Sequence, residues 1–164
     1  ALVALLSEGS ITTKENSAMA LGNLAAGSDV LRGVIVDAGA VPALVALLSE
    51  GSMNVKENSA AALGNLASGS DVQCGVIVDA GAVPALVALL SEGSMTAKEN
   101  SARVLALFCD DPDLRDVVVG NGVLLALHGF VGAAWTSSCV HCRQLLDIFA
   151  MELKVYANWQ LCAL

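Results

Sequence analysis

Ala43–Pro84 reads ALVALLSEGSMNVKENSAAALGNLASGSDVQCGVIVDAGAVP. Ala1–Pro42 is the same text with changes only at Ile11/Met53, Thr12/Asn54, Thr13/Val55, Met19/Ala61, Ala26/Ser68, Leu31/Gln73 and Arg32/Cys74. A third copy begins at Ala85, keeps ALVALLSEGSMTAKENSA, and drifts after Ala102. A helical unit of this length cannot bury its apolar side alone, so copies stack and share a continuous core. The expected product is an elongated superhelix, and such shapes serve mainly to bind other proteins.

Each unit divides into three helices. Ser70 is placed to cap a first helix over Asp71–Ala80, with Asp71 putting negative charge in its first turn. Gly81 can take the left-handed conformation that stops this helix. Pro84 then opens a second helix through Leu90, closed by Gly93. The third helix is the longest. Its cap is expected at Thr12, Asn54 and Thr96, each followed three residues later by a glutamate (Glu15, Glu57, Glu99) in a capping-box arrangement. It ends at Gly27 in the first copy and at Gly69 in the second. Ala60, Leu63, Leu66 and Ala67 recur at helical spacing and are expected in the core.

Composition fits this plan. The 164 residues are 55% hydrophobic but only 4% aromatic, so Ala, Val and Leu must do the packing between close helices. The net charge of −8 is largely periodic (Glu8, Glu50, Glu92; Asp29, Asp71; Asp37, Asp79), which keeps an apolar chain in solution or forms an acidic ridge for a basic partner. No basic stripe interleaved with aromatics points to nucleic acid. The five cysteines show no disulfide framework, and their odd number favours free thiols and an intracellular site, cytoplasmic or nuclear. Residues 117–142 lack formal charge, but glycines interrupt them and a membrane span is not expected. Because the chain starts inside a repeat, it reads as part of a longer array.

The phrases GAVPALVALLSEGS (Gly81–Ser94), ENSAAALGNLA (Glu57–Ala67) and GVIVDAG (Gly75–Gly81) resemble the armadillo repeat. The likeness covers about Ala1–Gly122. It implies an all-α, right-handed α-solenoid of three-helix repeats, regular over residues 1–110 and divergent over 111–164, with third helices lining a concave groove. In family members that hold extended peptides, an asparagine on the third helix grips the peptide main chain. An amide suits this role because it offers both a donor and an acceptor. By the ALGNLA phrase these positions are Asn23 and Asn65, with Asn16 and Asn58 seven residues earlier on the same face. The alternative is that these amides bond backbone between repeats. Met19 and Ala61 stand where importin-α has a tryptophan for lysine stems. In the third copy Arg103 and Leu107 take the tryptophan and asparagine positions, so the groove gains a cation and an apolar side chain. Lys14, Lys56 and Lys98 are each followed by a glutamate and read as solvated first turns.

After Cys109, DDPDLRDVVVGNG imitates a first helix stopping at Gly122. Val123–Val131 reads as a worn second helix and Val140–Ala157 as a last helix, with Leu145, Leu146, Phe149, Leu153 and Tyr156 on its apolar side. Cys139-Val140-His141-Cys142 is the one metal-like cluster, without a second pair at zinc spacing. No nucleophile–base set, phosphate loop or carboxylate pair suggests catalysis, and no cofactor is implied. The expectation is therefore a non-catalytic module that binds a protein or extended peptide of basic character, with further armadillo repeats N-terminal to residue 1. Two other readings stay open: a substrate-recruiting segment of a larger ubiquitin ligase or signalling protein, and a structural spacer or self-associating array.

Overall fold

The protein is described by a computed structural model covering residues 1–128 and 140–150. Ten helices run in order through residue 128: α1 (Leu2–Glu8), α2 (Ile11–Gly27), α3 (Asp29–Asp37), α4 (Ala40–Glu50), α5 (Met53–Ala67), α6 (Asp71–Asp79), α7 (Ala82–Glu92), α8 (Met95–Phe108), α9 (Pro112–Gly120) and α10 (Val123–His128). Residues 140–150 form a further helix, α11. First helices are α3, α6 and α9; second helices α1, α4, α7 and α10; third helices α2, α5 and α8. The far ends of the expected last two helices, with Leu153 and Tyr156, lie outside the described residues.

The turn from first to second helix is the sharpest in the unit. Gly39, Gly81 and Gly122 adopt φ of 77°, 82° and 81°, a region closed to most side chains. The helices on either side of it meet at 79° (α3/α4) and 85° (α6/α7). Pro84 sits in the first turn of α7, which begins two residues earlier than expected, at Ala82.

The third helices start earlier as well. Their caps are Ser10, Ser52 and Ser94, whose hydroxyls accept from the backbone N–H of Thr13, Val55 and Ala97. Thr12, Asn54 and Thr96 therefore lie inside the first turn, and the capping boxes to Glu15, Glu57 and Glu99 are not formed. Two good capping residues compete in each SEGSxT/N phrase. The serine wins because it directly follows the glycine that leaves the preceding helix in extended backbone. Ser70 does cap α6. Asp111 caps α9, its carboxylate accepting from the N–H of Asp113 and Leu114.

Third helices stack directly, α2 on α5 and α5 on α8, while the second helices α1, α4 and α7 pack against the third helices α2, α5 and α8 that follow them. Leu44, Leu63, Leu66, Leu86, Leu90, Leu105 and Phe108 are fully buried between them. Ala60 and Ala67 are buried too, as the helical spacing predicts. Each leucine so enclosed contributes about 1.5–3 kcal/mol relative to exposure. Because each layer touches only its neighbours, what matters for function is how one third helix meets the next. Among the described residues no single helix is long and apolar enough to cross a membrane.

Candidate functional site

The asparagines expected to face a groove lie along the seams between third helices. Asn65 donates through Nδ2 to the Gly22 carbonyl, 2.9 Å away in the preceding repeat. Asn58 donates to the Glu15 carbonyl at 3.5 Å, and Asn100, its counterpart in the third copy, to the Glu57 carbonyl at 3.2 Å. These carbonyls belong to helical turns, and each oxygen has a second lone pair for the incoming amide. The α2–α5 seam is close because Gly22 has no side chain: a Cβ there would stand 3.3 Å from Ala62 Cα.

Arg103 makes the next seam different. Its Nη1 donates to Asn65 Oδ1 at 3.0 Å and its Nη2 to the Ala61 carbonyl at 3.1 Å. The guanidinium lies across Gly64, where a Cβ would approach Nη2 to 2.5 Å. Three positions chosen separately from the sequence, Ala61, Asn65 and Arg103, thus form one cluster, with both ends of the Asn65 amide engaged. Burial lowers the Arg103 pKa from its usual value. Burial also lowers that of His141 on α11, helped by the Arg103 charge and opposed by Glu99. Leu107 is half-buried against the core.

On α2 the corresponding positions are open. Asn16, Met19 and Asn23, spaced to share one helical face, are all exposed, Met19 by 49%. Among the described residues the Asn23 side chain makes no hydrogen bond. On α5 and α8 the equivalent side chains are engaged with the third helix before them.

Sequence reasoning missed how the glutamates are used. The Glu57 carboxylate accepts from the hydroxyl of Ser94, the cap of the following third helix, and Glu15 Oε1 accepts from Asn54 Nδ2 at 3.4 Å. Local spacing carries no sign of these links, whereas Asn100 was visible as the third copy of the KENSA phrase. Lys14, Lys56 and Lys98 are half-buried beside these glutamates in sequence. Cys139 lies outside the described residues and Cys142 is buried; among the described residues no three His, Cys, Asp or Glu side chains gather as metal ligands. A cavity of about 320 Å³ opens between α4, α5 and α7, lined by Leu48, Met53, Lys56, Leu89 and Glu92, away from the asparagine seams.

The armadillo/β-catenin-like repeat family matches residues 28–68 and 70–110, two consecutive units in the register deduced from the turns. No curated protein matches the chain. Solved structures that resemble it include an engineered protein at 31% identity and TM-score 0.83, covering 91% of this chain and 61% of its own. A designed armadillo repeat protein in complex with the peptide (KR)4 aligns at 27% identity and TM-score 0.83, over 90% of this chain and 62% of its own. Computationally designed armadillo repeat proteins for modular peptide recognition align at 29% and 0.84, over 90% and 62%. The chain thus spans about three fifths of the length of these structures. With the repeat matched twice, the three-helix unit observed and the solenoid shared, this chain belongs to the armadillo repeat family.

Proposed function

We propose that the protein is a non-catalytic interaction module that binds an extended segment of another protein across α2, α5 and α8. The observation that carries this reading is the alignment of Asn16, Met19 and Asn23 on α2 with Ala61, Asn65, Arg103 and Leu107 on the next two third helices. A designed solenoid of the same fold is in complex with the peptide (KR)4, which supports both an extended ligand and one of basic character.

Asn23 is the residue assigned to the peptide main chain, because Ala61 stands on α5 where Arg103 stands on α8, so its Oδ1 is not taken up by a guanidinium as that of Asn65 is. At Asn65 the peptide has to displace Arg103 or accept a bond from it, so recognition passes from main chain to side chain between the second and third repeats. Asn58 and Asn100 hold the helices in register and shape the groove indirectly. The proposal extends to further repeats preceding α1, whose carbonyls would receive Asn16 and Asn23 nitrogens as Glu15 and Gly22 receive those of Asn58 and Asn65.

A peptide-library screen against the wild type and Asn23→Ala tests the assignment. Enriched peptides should bind the variant about tenfold more weakly, one hydrogen-bonded amide's worth. Enrichment that ignores both Asn23→Ala and Asn65→Ala would remove the site from this face.

A further inference from the structure

The first helices present an apolar surface that the groove does not use. On α3, Val30 and Val34 are 75% and 57% exposed; on α6, Val72 is 76% exposed and Val76 is also open. On α9, Val117 continues the row one repeat further. The left-handed glycines Gly39, Gly81 and Gly122 fix this alignment, since Val34, Val76 and Val117 each stand five residues before one of them. Valines at such sites add nothing to the core, and valine forms helices less well than alanine. The Arg32 stem of α3 reaches the turn before α6, where a Cβ on Gly69 would lie 2.9 Å from Arg32 Cδ.

Carboxylates border the row. Asp37, Asp71, Asp79, Asp113 and Asp116 are exposed, and among the described residues none of them has an ion-pair partner. The two cations carried by these helices turn inward: Arg32 pairs with Asp29 and its side chain is only 14% exposed, while Arg115 donates to the Cys109 carbonyl. The result is an apolar stripe in a negative field.

We propose that the outer face of α3, α6 and α9 is a second docking surface, whose occupant is a basic amphipathic helix of a partner protein. Its apolar stripe covers the valines and its lysines or arginines meet the aspartates. The occupant is a helix because this face offers only helical backbone, already hydrogen-bonded within itself. An extended strand would bury its own N–H and C=O groups there without partners, whereas a helix arrives with them satisfied. A second copy of this chain or an anionic membrane would set like charge against like.

The test measures fluorescence anisotropy of a labelled leucine–lysine helical peptide of about 18 residues, with leucines at i, i+3, i+4 and i+7. Two controls replace its lysines by glutamates or scramble its order. Binding is expected for the first peptide only, to fall at least about tenfold in Val30→Ser/Val34→Ser/Val72→Ser/Val76→Ser, and to weaken in salt of about 0.5 M. Asp37→Asn/Asp79→Asn should reduce affinity and flatten the salt dependence, and Asn23→Ala should change nothing. Circular dichroism verifies folding, and the aspartate variant decides the matter if the valine variant unfolds. Absence of binding, binding indifferent to the substitutions, or equal binding of the glutamate peptide would overturn the proposal. So would self-association, or capture of anionic vesicles, that the valine substitutions abolish.

Discussion

The α2–α5 and α5–α8 seams join third helices that share the KENSA phrase, yet they close by different means. At the first, Gly22 brings two backbones together and Asn65 fastens them through a carbonyl. At the second, Gly64 accommodates a guanidinium and Arg103 fastens the helices through both an amide oxygen and a carbonyl. Equivalent glycines thus do opposite things: one lets backbone approach, the other makes room for a long side chain. A repeat can keep its fold while its joints diverge, because the leucine core carries most of the stability and the seam needs only a donor of suitable reach.

The strongest way to break this comparison is Gly22→Leu. The added side chain has backbone in its way and should lower unfolding free energy by roughly 2–3 kcal/mol in urea melts. A loss below 1 kcal/mol would mean that the first seam is looser than described.

A cycle of Gly64→Ala and Arg103→Ala sharpens the second seam. Arg103→Ala should lose roughly 1–2 kcal/mol, since Asn65 and Ala61 give up their partners. In that background Gly64→Ala should gain up to about 1 kcal/mol of helix propensity, while in the wild type it displaces the guanidinium. Additive effects in the cycle would show that the two residues do not meet.

Caps test the same contrast at lower amplitude. Ser94→Ala removes both a cap and the hydroxyl bound to Glu57, and should destabilise by about 1–2 kcal/mol; Ser10→Ala removes the cap bonds alone and should cost about 0.5–1 kcal/mol. Equal losses would leave the Ser94–Glu57 link without energetic weight.

The smallest effect concerns position 32 of one repeat and 74 of the next. Where Arg32 reaches back to Asp29, Cys74 is buried with its thiol on the Ala67 carbonyl. Burial raises its pKa to about 11, aided by the charges of Asp71, Asp110 and Asp111. A raised thiol pKa means the neutral form is favoured on folding. The stabilisation is complete below the ordinary value of 9.0 and is lost as pH rises through about 11. Thermal melts should therefore decline more steeply over this range in the wild type than in Cys74→Ala, and slow alkylation of Cys74 at pH 8 should accompany this. Matching pH profiles would dismiss the effect.

Much of the fold was written in local chemistry. Gly81 and Pro84 mark the turn, Ser70 the cap, and Leu63 and Leu66 the core, each through interactions within a few residues. What escaped was of another range. Thr12 and Glu15 have capping-box spacing, yet Glu57 serves Ser94 37 residues away and Glu15 serves Asn54 39 residues away. Arg103 reaches Asn65 across 38 residues, a pairing that no helical period encodes. The glycine at position 64 was its one trace in the sequence, read only as part of a motif. The seven-residue spacing of the asparagines correctly put them on one face, but spacing alone does not say whether a face meets a ligand or the adjacent helix.

The asparagine and arginine links described between third helices run the same way along the chain. Asn58, Asn65, Asn100 and Arg103 offer hydrogens, and main-chain oxygens of the repeat before them receive those hydrogens. The solenoid consequently has a polarity, with a donor edge and an acceptor edge, like a stack of bricks with studs on one side only. Acceptors on an earlier helix exist as soon as it has coiled, while donors arrive with the next helix. The stack therefore supplies its own template in the order in which a ribosome delivers the chain.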